Sequence, residues 1–255
     1  MSESWRPSRA IATSRRPPAK WRLSPRHAVL LACLLEVSLI ARPACRRDNS
    51  HAEMPKESDS RFGAAIRDIS PPSTPADTVR YVHACRQAGR LAAIEPYLDA
   101  IQRPHVIALI QAVDRLAAAN QVLQAAVADR LGPASARPFD RSEVVNVLGP
   151  FSRDLSVLGE KLDANSATVT IQVGTRLPLE EVHLERRDDH WVIRDDLVVP
   201  LLPDELHKLA AALEDVAAAV RRDPMTADQT HRELAAREVA VGRRINDLLR
   251  PTPPP

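Results

Sequence analysis

The sequence predicts an α+β protein, with N-terminal helices packed on a curved antiparallel sheet of about four strands and followed by a C-terminal helical hairpin. Three observations predict it. Between residues 75 and 131, apolar residues recur at three- and four-residue steps; between 155 and 197 they alternate; from 206 to 248 the helical spacing returns. Strands that follow one another across short turns, without a helix between them, make an antiparallel meander instead of a parallel sheet.

The first helix starts at Thr74-Pro75-Ala76-Asp77. Thr caps the helix, Pro suits its first position, and Asp opposes the positive end of the helix dipole. It runs from Pro75 to Ala88 and stops at Gly89, and a short helix follows through Leu91 to Leu98. From Pro104, the residues Val106, Leu109, Ile110, Val113, Leu116, Leu123, Val127 and Leu131 define one long Ala-rich amphipathic helix, which Gly132-Pro133 ends.

The period then changes. Ala167, Val169, Ile171 and Val173 alternate with Thr168, Thr170 and Gln172, giving a strand with one apolar and one polar face. Leu179 to Arg186 and Trp191 to Leu197 form a hairpin across Asp188-Asp189, with Leu184 opposite Ile193, Arg186 opposite Trp191 and His183 opposite Arg194. Leu155 to Leu162, turned by Asp163-Ala164-Asn165, supplies the fourth strand. Trp191 and Ile193 are expected to pack against the long helix.

In the tail, Leu206, Leu209, Leu213, Val216 and Val220 repeat like a coiled-coil seam until Arg221-Arg222-Asp223-Pro224 breaks it. Thr226-Ala227-Asp228-Gln229 reads as a capping box opening a second helix through Leu234, Val241, Ile245 and Leu248. The seam is expected to cover its own domain, and the sharper alternative is a homodimer or protein partner docked on those five residues.

The chain opens with a basic leader, Arg6, Arg9, Arg15, Arg16, Lys20, Arg22 and Arg26 against Glu3, then an apolar run from Ala28 to Ala41 and Ala44-Cys45. That order is the order of a secretory signal. At about 14 residues, and with Glu36 inside it, the run is short for a transmembrane helix of ~20 residues. It resembles a bacterial lipoprotein signal. Cys45 is the candidate lipid-attachment residue, and Cys33 competes with it. The expectation is a cell-envelope protein, exported and tethered to a membrane through its N-terminus, the alternative being a cytoplasmic chain.

Five regions follow: an export signal over 1–45, a disordered tether over 46–73, an α+β domain over 74–200, a helical hairpin over 201–250 and a disordered tail over 251–255. The tether is polar and broken by Pro55, Pro71 and Pro72, so it buries little to offset the entropy of ordering. The net charge of +2 is misleading because the leader carries much of the positive charge. A near-neutral remainder with 3% aromatic residues speaks against nucleic-acid binding. Cys85, the cysteine outside the leader, falls on the helical side of Val79 and Val82 and reads as a buried small hydrophobe.

The opening Thr-Pro-x-Asp-Thr-Val-x-x-Tyr, the long second helix, the strand Ser166-Ala167-Thr168-Val169-Thr170-Ile171 and the hairpin ending in His190-Trp191-Val192-Ile193 together resemble the nuclear-transport-factor-like cone superfamily. The likeness spans about 74 to 199 and rests on order and pattern. It implies a cavity between sheet and helices, where Tyr81, His83, Tyr97, Asp99 and Trp191 are the candidate lining residues. Each has an ordinary structural role as well: Tyr81 and Trp191 as core aromatics, His83 as a helix-surface histidine. His183 and His190 share a hairpin without pairing, so no metal ligand set is assigned, and no cofactor is implied. Glu180-Glu181 and Asp195-Asp196 read as solvated strand ends. The functional expectation is a non-catalytic binding or structural module of unknown ligand. A small-molecule isomerase or dehydratase using the cavity for acid/base catalysis is one alternative, and a helical protein-interaction scaffold is the other.

Overall fold

Thr74 opens the first helix, α1 (Pro75–Gln87), by accepting the Asp77 N–H on its Oγ1 at 3.1 Å. A computed structural model of the chain describes residues 72–194 and 199–249. The leader with Cys33 and Cys45, the tether up to Pro71, Asp195-Asp196 and the terminal prolines lie outside the described residues. A carboxylate from the sheet also serves α1: Glu160 Oε2 accepts the Ala76 N–H at 2.8 Å, at the positive end of the helix dipole. At the other end Gly89, at φ 69°, lets its own N–H return to Arg86 O at 3.0 Å and the Arg90 N–H return to Cys85 O at 2.8 Å. Those two bonds satisfy carbonyls that a helix end would otherwise leave unpaired.

Residues 91–97 form two 3-10 turns, Leu91–Ala93 and Glu95–Tyr97, and not the single short helix expected. Pro96 has no N–H to give an α-helical ladder, so the chain closes tighter turns on either side of Ile94. The long helix, α2 (Arg103–Leu131), ends where Gly132 adopts φ 88°. Its expected stripe from Val106 to Val127 is buried, and Leu131 is half-buried. Short turns then carry the chain through Phe139, Val144 and Phe151 to the sheet.

Four antiparallel strands follow in spatial order β1-β2-β3-β4: β1 (Leu155–Asp163), β2 (Ser166–Val173), β3 (Glu180–Arg187) and β4 (His190–Arg194). The β3/β4 register pairs His183 with Arg194, Leu184 with Ile193 and Arg186 with Trp191, as the hairpin centred on Asp188-Asp189 predicts. Along β2, Ala167, Val169, Ile171 and Val173 are buried and the intervening residues are not. The turn between β1 and β2 holds Ala164 at φ 38°, a region that residues other than Gly, Asn and Asp rarely enter.

Two helices complete the chain, α3 (Leu202–Arg222) and α4 (Ala227–Leu249). The predicted capping box is formed in both directions: Gln229 N–H donates to Thr226 Oγ1 at 3.2 Å, and Thr226 N–H donates to Gln229 Oε1 at 2.7 Å. α3 packs along α2, and α4 packs on α3. α2 and α3 run in the same direction, because Arg115 pairs with Glu214 partway along and Arg130 donates to the carbonyls of Val220 and Arg221 at the far end.

The helix lying closest along the strands is α1, which contacts β1, β2 and β4. Trp191 and Ile193, expected to pack against the long helix, lie in a core that the strands share with both α1 and α2. Much of the stripe of α2 packs on α3, whose Leu206, Leu209, Leu213, Val216 and Val220 are buried, and Val79, Val82 and Cys85 of α1 are buried beside the strands. α2 is long and apolar enough, by length and composition, to cross a membrane; here half of its most apolar window is buried inside the protein. One continuous core joins sheet and helices.

A buried ion pair locks these layers. The Arg86 side chain is 0% exposed and grips Asp114 of α2 with two hydrogen bonds, at 2.9 and 3.0 Å, while its Nε donates to the Phe151 carbonyl. Arg153 adds a second cation to Asp114 at 3.2 Å. The two partners differ in exposure, Asp114 being 29% exposed. Asp114→Ala therefore strands a fully buried guanidinium and is expected to cost about 3 to 5 kcal/mol. Arg86→Met leaves a carboxylate that still has Arg153 and water, so it should cost roughly half as much. Urea unfolding of the two variants checks the order, and equal losses would contradict this account. Ala164→Gly should raise stability by about 0.5 to 1 kcal/mol, because relief of a left-handed alanine outweighs the added chain entropy. A lower melting temperature for that variant would show the turn to be unstrained.

Candidate functional site

The residues that sequence reasoning placed around one mouth separate into two groups. Tyr81 on α1 and Tyr97 in the Glu95–Tyr97 turn come together, with ring centroids 5.1 Å apart and planes tilted by 59°. His190 at the start of β4 meets the edge of Tyr97 at 6.2 Å. Asp99 joins the same edge, its carboxylate accepting from Arg187 Nη2 at 2.5 Å and from the Ile101 N–H at 2.9 Å. Since Arg187 and His190 are register partners across the β3/β4 turn, the two contacts belong to one surface.

The other two expected residues do not join them. His83 turns to the far side of α1, where its Nε2 is 3.0 Å from the Arg153 carbonyl oxygen. Trp191 is buried in the core, on the sheet face that carries Leu184 and Ile193. His183 lies opposite Arg194, with its Nδ1 3.4 Å from Thr168 Oγ1, so it is apart from His190. Among the described residues, no group of three His, Cys, Asp or Glu side chains is placed to hold a metal ion. Glu181 is exposed and Glu180 half-buried. Cys85 is a free, fully buried thiol beside Tyr81, with Arg90 Nη2 3.9 Å from its sulfur.

What gathers Tyr81, Tyr97, His190, Asp99 and Arg187 is a single backbone contact that sequence periodicity does not signal. Leu98 forms an isolated parallel bridge with Ile193, extending the sheet by one residue beyond β4. The neighbours of Leu98 on either side, Tyr97 and Asp99, are thereby fixed beside β4. His190 and Arg187 were missed as members of the site; the signal available for them was their placement flanking the predicted Asp188-Asp189 turn.

The electrostatics suit recognition by hydrogen bonding and stacking. Burial, followed by the adjacent Cys85 thiol, pushes the Tyr81 hydroxyl above the usual phenol range, and burial does the same for Tyr97. Both remain neutral donors at ordinary pH. Burial opposes the charge on Asp99, but the Ile101 N–H and Arg187 outweigh it and hold the carboxyl below the usual carboxylate range. Asp99 is thus an ionised carboxylate held by a cation, which is a positioning arrangement and a poor proton acceptor.

A second polar cluster lies between the helices. Arg141 and Glu238 pair at 2.6 Å with side chains only 5% and 10% exposed. The Asn120 amide bridges Phe139 O at 2.7 Å and Arg141 N–H at 3.1 Å, and Phe139 stacks on His231 of α4 at 4.1 Å. These contacts fasten α4 to α2 through the 137–141 segment. The five seam residues named as a partner surface are likewise taken up inside the chain, buried in the core they share with α2.

The chain matches no family model, curated protein or solved structure.

The depressed Asp99 pKa fixes the sign of a pH effect. A carboxyl whose folded pKa lies below its unfolded value near 3.9 adds stability above that value and loses it as pH falls through the folded pKa. Asp99→Asn should therefore destabilise the protein by roughly 1 to 2 kcal/mol at pH 7 and progressively less in acid. Thermal unfolding of both proteins between pH 7 and pH 3 measures the gap. A gap that widens on acidification would remove Arg187 as the partner that matters.

Proposed function

We propose that the chain is an exported, membrane-tethered binding or structural module, non-catalytic, built as a nuclear-transport-factor-like cone with its helices packed on a curved sheet. The observation that carries this reading is the use made of the candidate acid/base groups. Asp99 is held by Arg187 and the Ile101 N–H, His83 sits against the Arg153 carbonyl, and Trp191 fills the core. Groups so occupied hold a fold and leave the Tyr81, Tyr97 and His190 edge to contact a ligand by stacking and hydrogen bonds. The order of elements supports the cone likeness: a helix against the strands, a long helix, then four consecutive antiparallel strands.

The address rests on the leader, whose basic segment, apolar run and Ala44-Cys45 follow the order of a lipoprotein signal. The tether then sets the folded part away from the membrane surface. Intact-mass analysis of the native protein, purified from a membrane fraction, should find a product that begins at Cys45 and carries a diacylglycerol mass. Soluble material that retains Met1 would overturn the envelope assignment and leave the cytoplasmic alternative.

A further inference from the structure

Accessible aromatic surface is scarce among the described residues, and it is gathered in one place. The chain has two tyrosines in 255 residues, and the fold sets them against each other with ring centroids 5.1 Å apart. The other described Phe and Trp rings belong to the core: Phe139, Phe151 and Trp191 are at most 6% exposed, whereas Tyr81 and Tyr97 are half-buried. Polar groups rim the pair. His190 meets Tyr97 edge-on, with planes at 89°, and its imidazole carries one donor and one acceptor when neutral. Arg187 contacts Asp99 and Glu185 through Nη2, so the Nε and Nη1 of a side chain that is 40% exposed have no partner among the described residues.

This geometry selects among ligand chemistries. A cationic ligand is opposed by Arg187 and by Arg90, whose Nη2 lies 3.9 Å from the Cys85 sulfur beside Tyr81. A flat aromatic ligand is opposed by the tilt, because rings already in contact at 59° leave no parallel slot in which to sandwich a third. A wholly apolar ligand would strip water from the polar rim without replacing its hydrogen bonds. A proline-rich peptide packs on tyrosine faces but offers the rim only carbonyl acceptors. A sugar ring meets every condition: its polarised C–H bonds lie on the electron-rich face of a phenol, and its hydroxyls both donate and accept at the margin.

We propose that the Tyr81, Tyr97 and His190 edge binds a saccharide, stacking a pyranose C–H face on the tyrosine rings while His190 and Arg187 hydrogen-bond its hydroxyls. The inference rests on the reading of this edge as the ligand surface and names what that surface takes.

Because Tyr81 and Tyr97 are the only tyrosines, labelling tyrosine rings with carbon-13 in the full chain yields two sets of resonances, both from this edge. At least one of chitotetraose, cellotetraose and maltotetraose should shift both sets saturably, and adenosine and a hexaproline peptide should not. Tyr97→Leu should weaken that binding about tenfold or more, and His190→Ala about fivefold, with melting temperature and the Tyr81 resonances reporting the fold. Co-sedimentation with the matching insoluble glycan separates two sources: retention assigns a polymer, and binding of the tetramer alone a free oligosaccharide. Resonances that none of the sugars moves would overturn the saccharide assignment, as would affinity unchanged in both variants. If adenosine or hexaproline moves them instead, the edge remains a ligand surface with a different occupant; if nothing moves them, the reading of the edge fails too. Mass spectrometry of the bound sugar gives the remaining distinction: a shortened chain would overturn the non-catalytic reading and leave the saccharide in place.

Discussion

The Arg86 guanidinium is the constraint around which the rest of the structure is arranged. A fully desolvated charge is tolerable only when an opposite charge and enough hydrogen-bond acceptors surround it. Here they come from two other elements: Asp114 on α2 and the Phe151 carbonyl just before the sheet. Meeting those demands fixes how α1 lies relative to α2 and where the chain emerges toward β1. Because α1 in turn lies over β1, β2 and β4, the placement of the sheet follows from the same contact.

The helical side is organised by a parallel logic. α2 and α3 share their apolar stripes, and Arg130 satisfies carbonyls at the end of α3 that a helix terminus leaves unpaired. α4 is held on α3 and, through Glu238 and His231, on the 137–141 segment. Two buried ion pairs, Arg86 with Asp114 and Arg141 with Glu238, thus join segments distant in sequence. Apolar contact alone is non-directional and permits sliding, whereas a paired charge in the interior penalises every register in which its partner is displaced.

The candidate site stands at the margin of this scaffold. Tyr97 and Asp99 sit beside β4 because Leu98 bridges Ile193, and Asp99 stays ionised because Arg187 and the Ile101 N–H compensate its burial. Two neutral phenols, an imidazole and a compensated carboxylate make a surface that can orient a ligand through fixed donors and ring faces.

Local chemistry was legible in the sequence. Thr74 and Thr226 as caps, Gly89 and Gly132 as stops, the β2 alternation and the β3/β4 register all depend on residues close together in the chain, where backbone geometry leaves few choices. The sequence by itself therefore determined the elements, their order and most of their buried faces, and it brought Tyr81, Tyr97 and Asp99 forward as candidates. It did not determine which helix lies over the sheet, that Arg86 is buried, that His83 turns away, or that Leu98 reaches β4. Those outcomes depend on competition among several apolar stripes of similar strength and on ion pairs between segments 28 to 97 residues apart. Only the tertiary structure decides them, because a stripe specifies that a face is buried without specifying against what, and the energy of a buried charge depends on a partner that sequence proximity does not reveal.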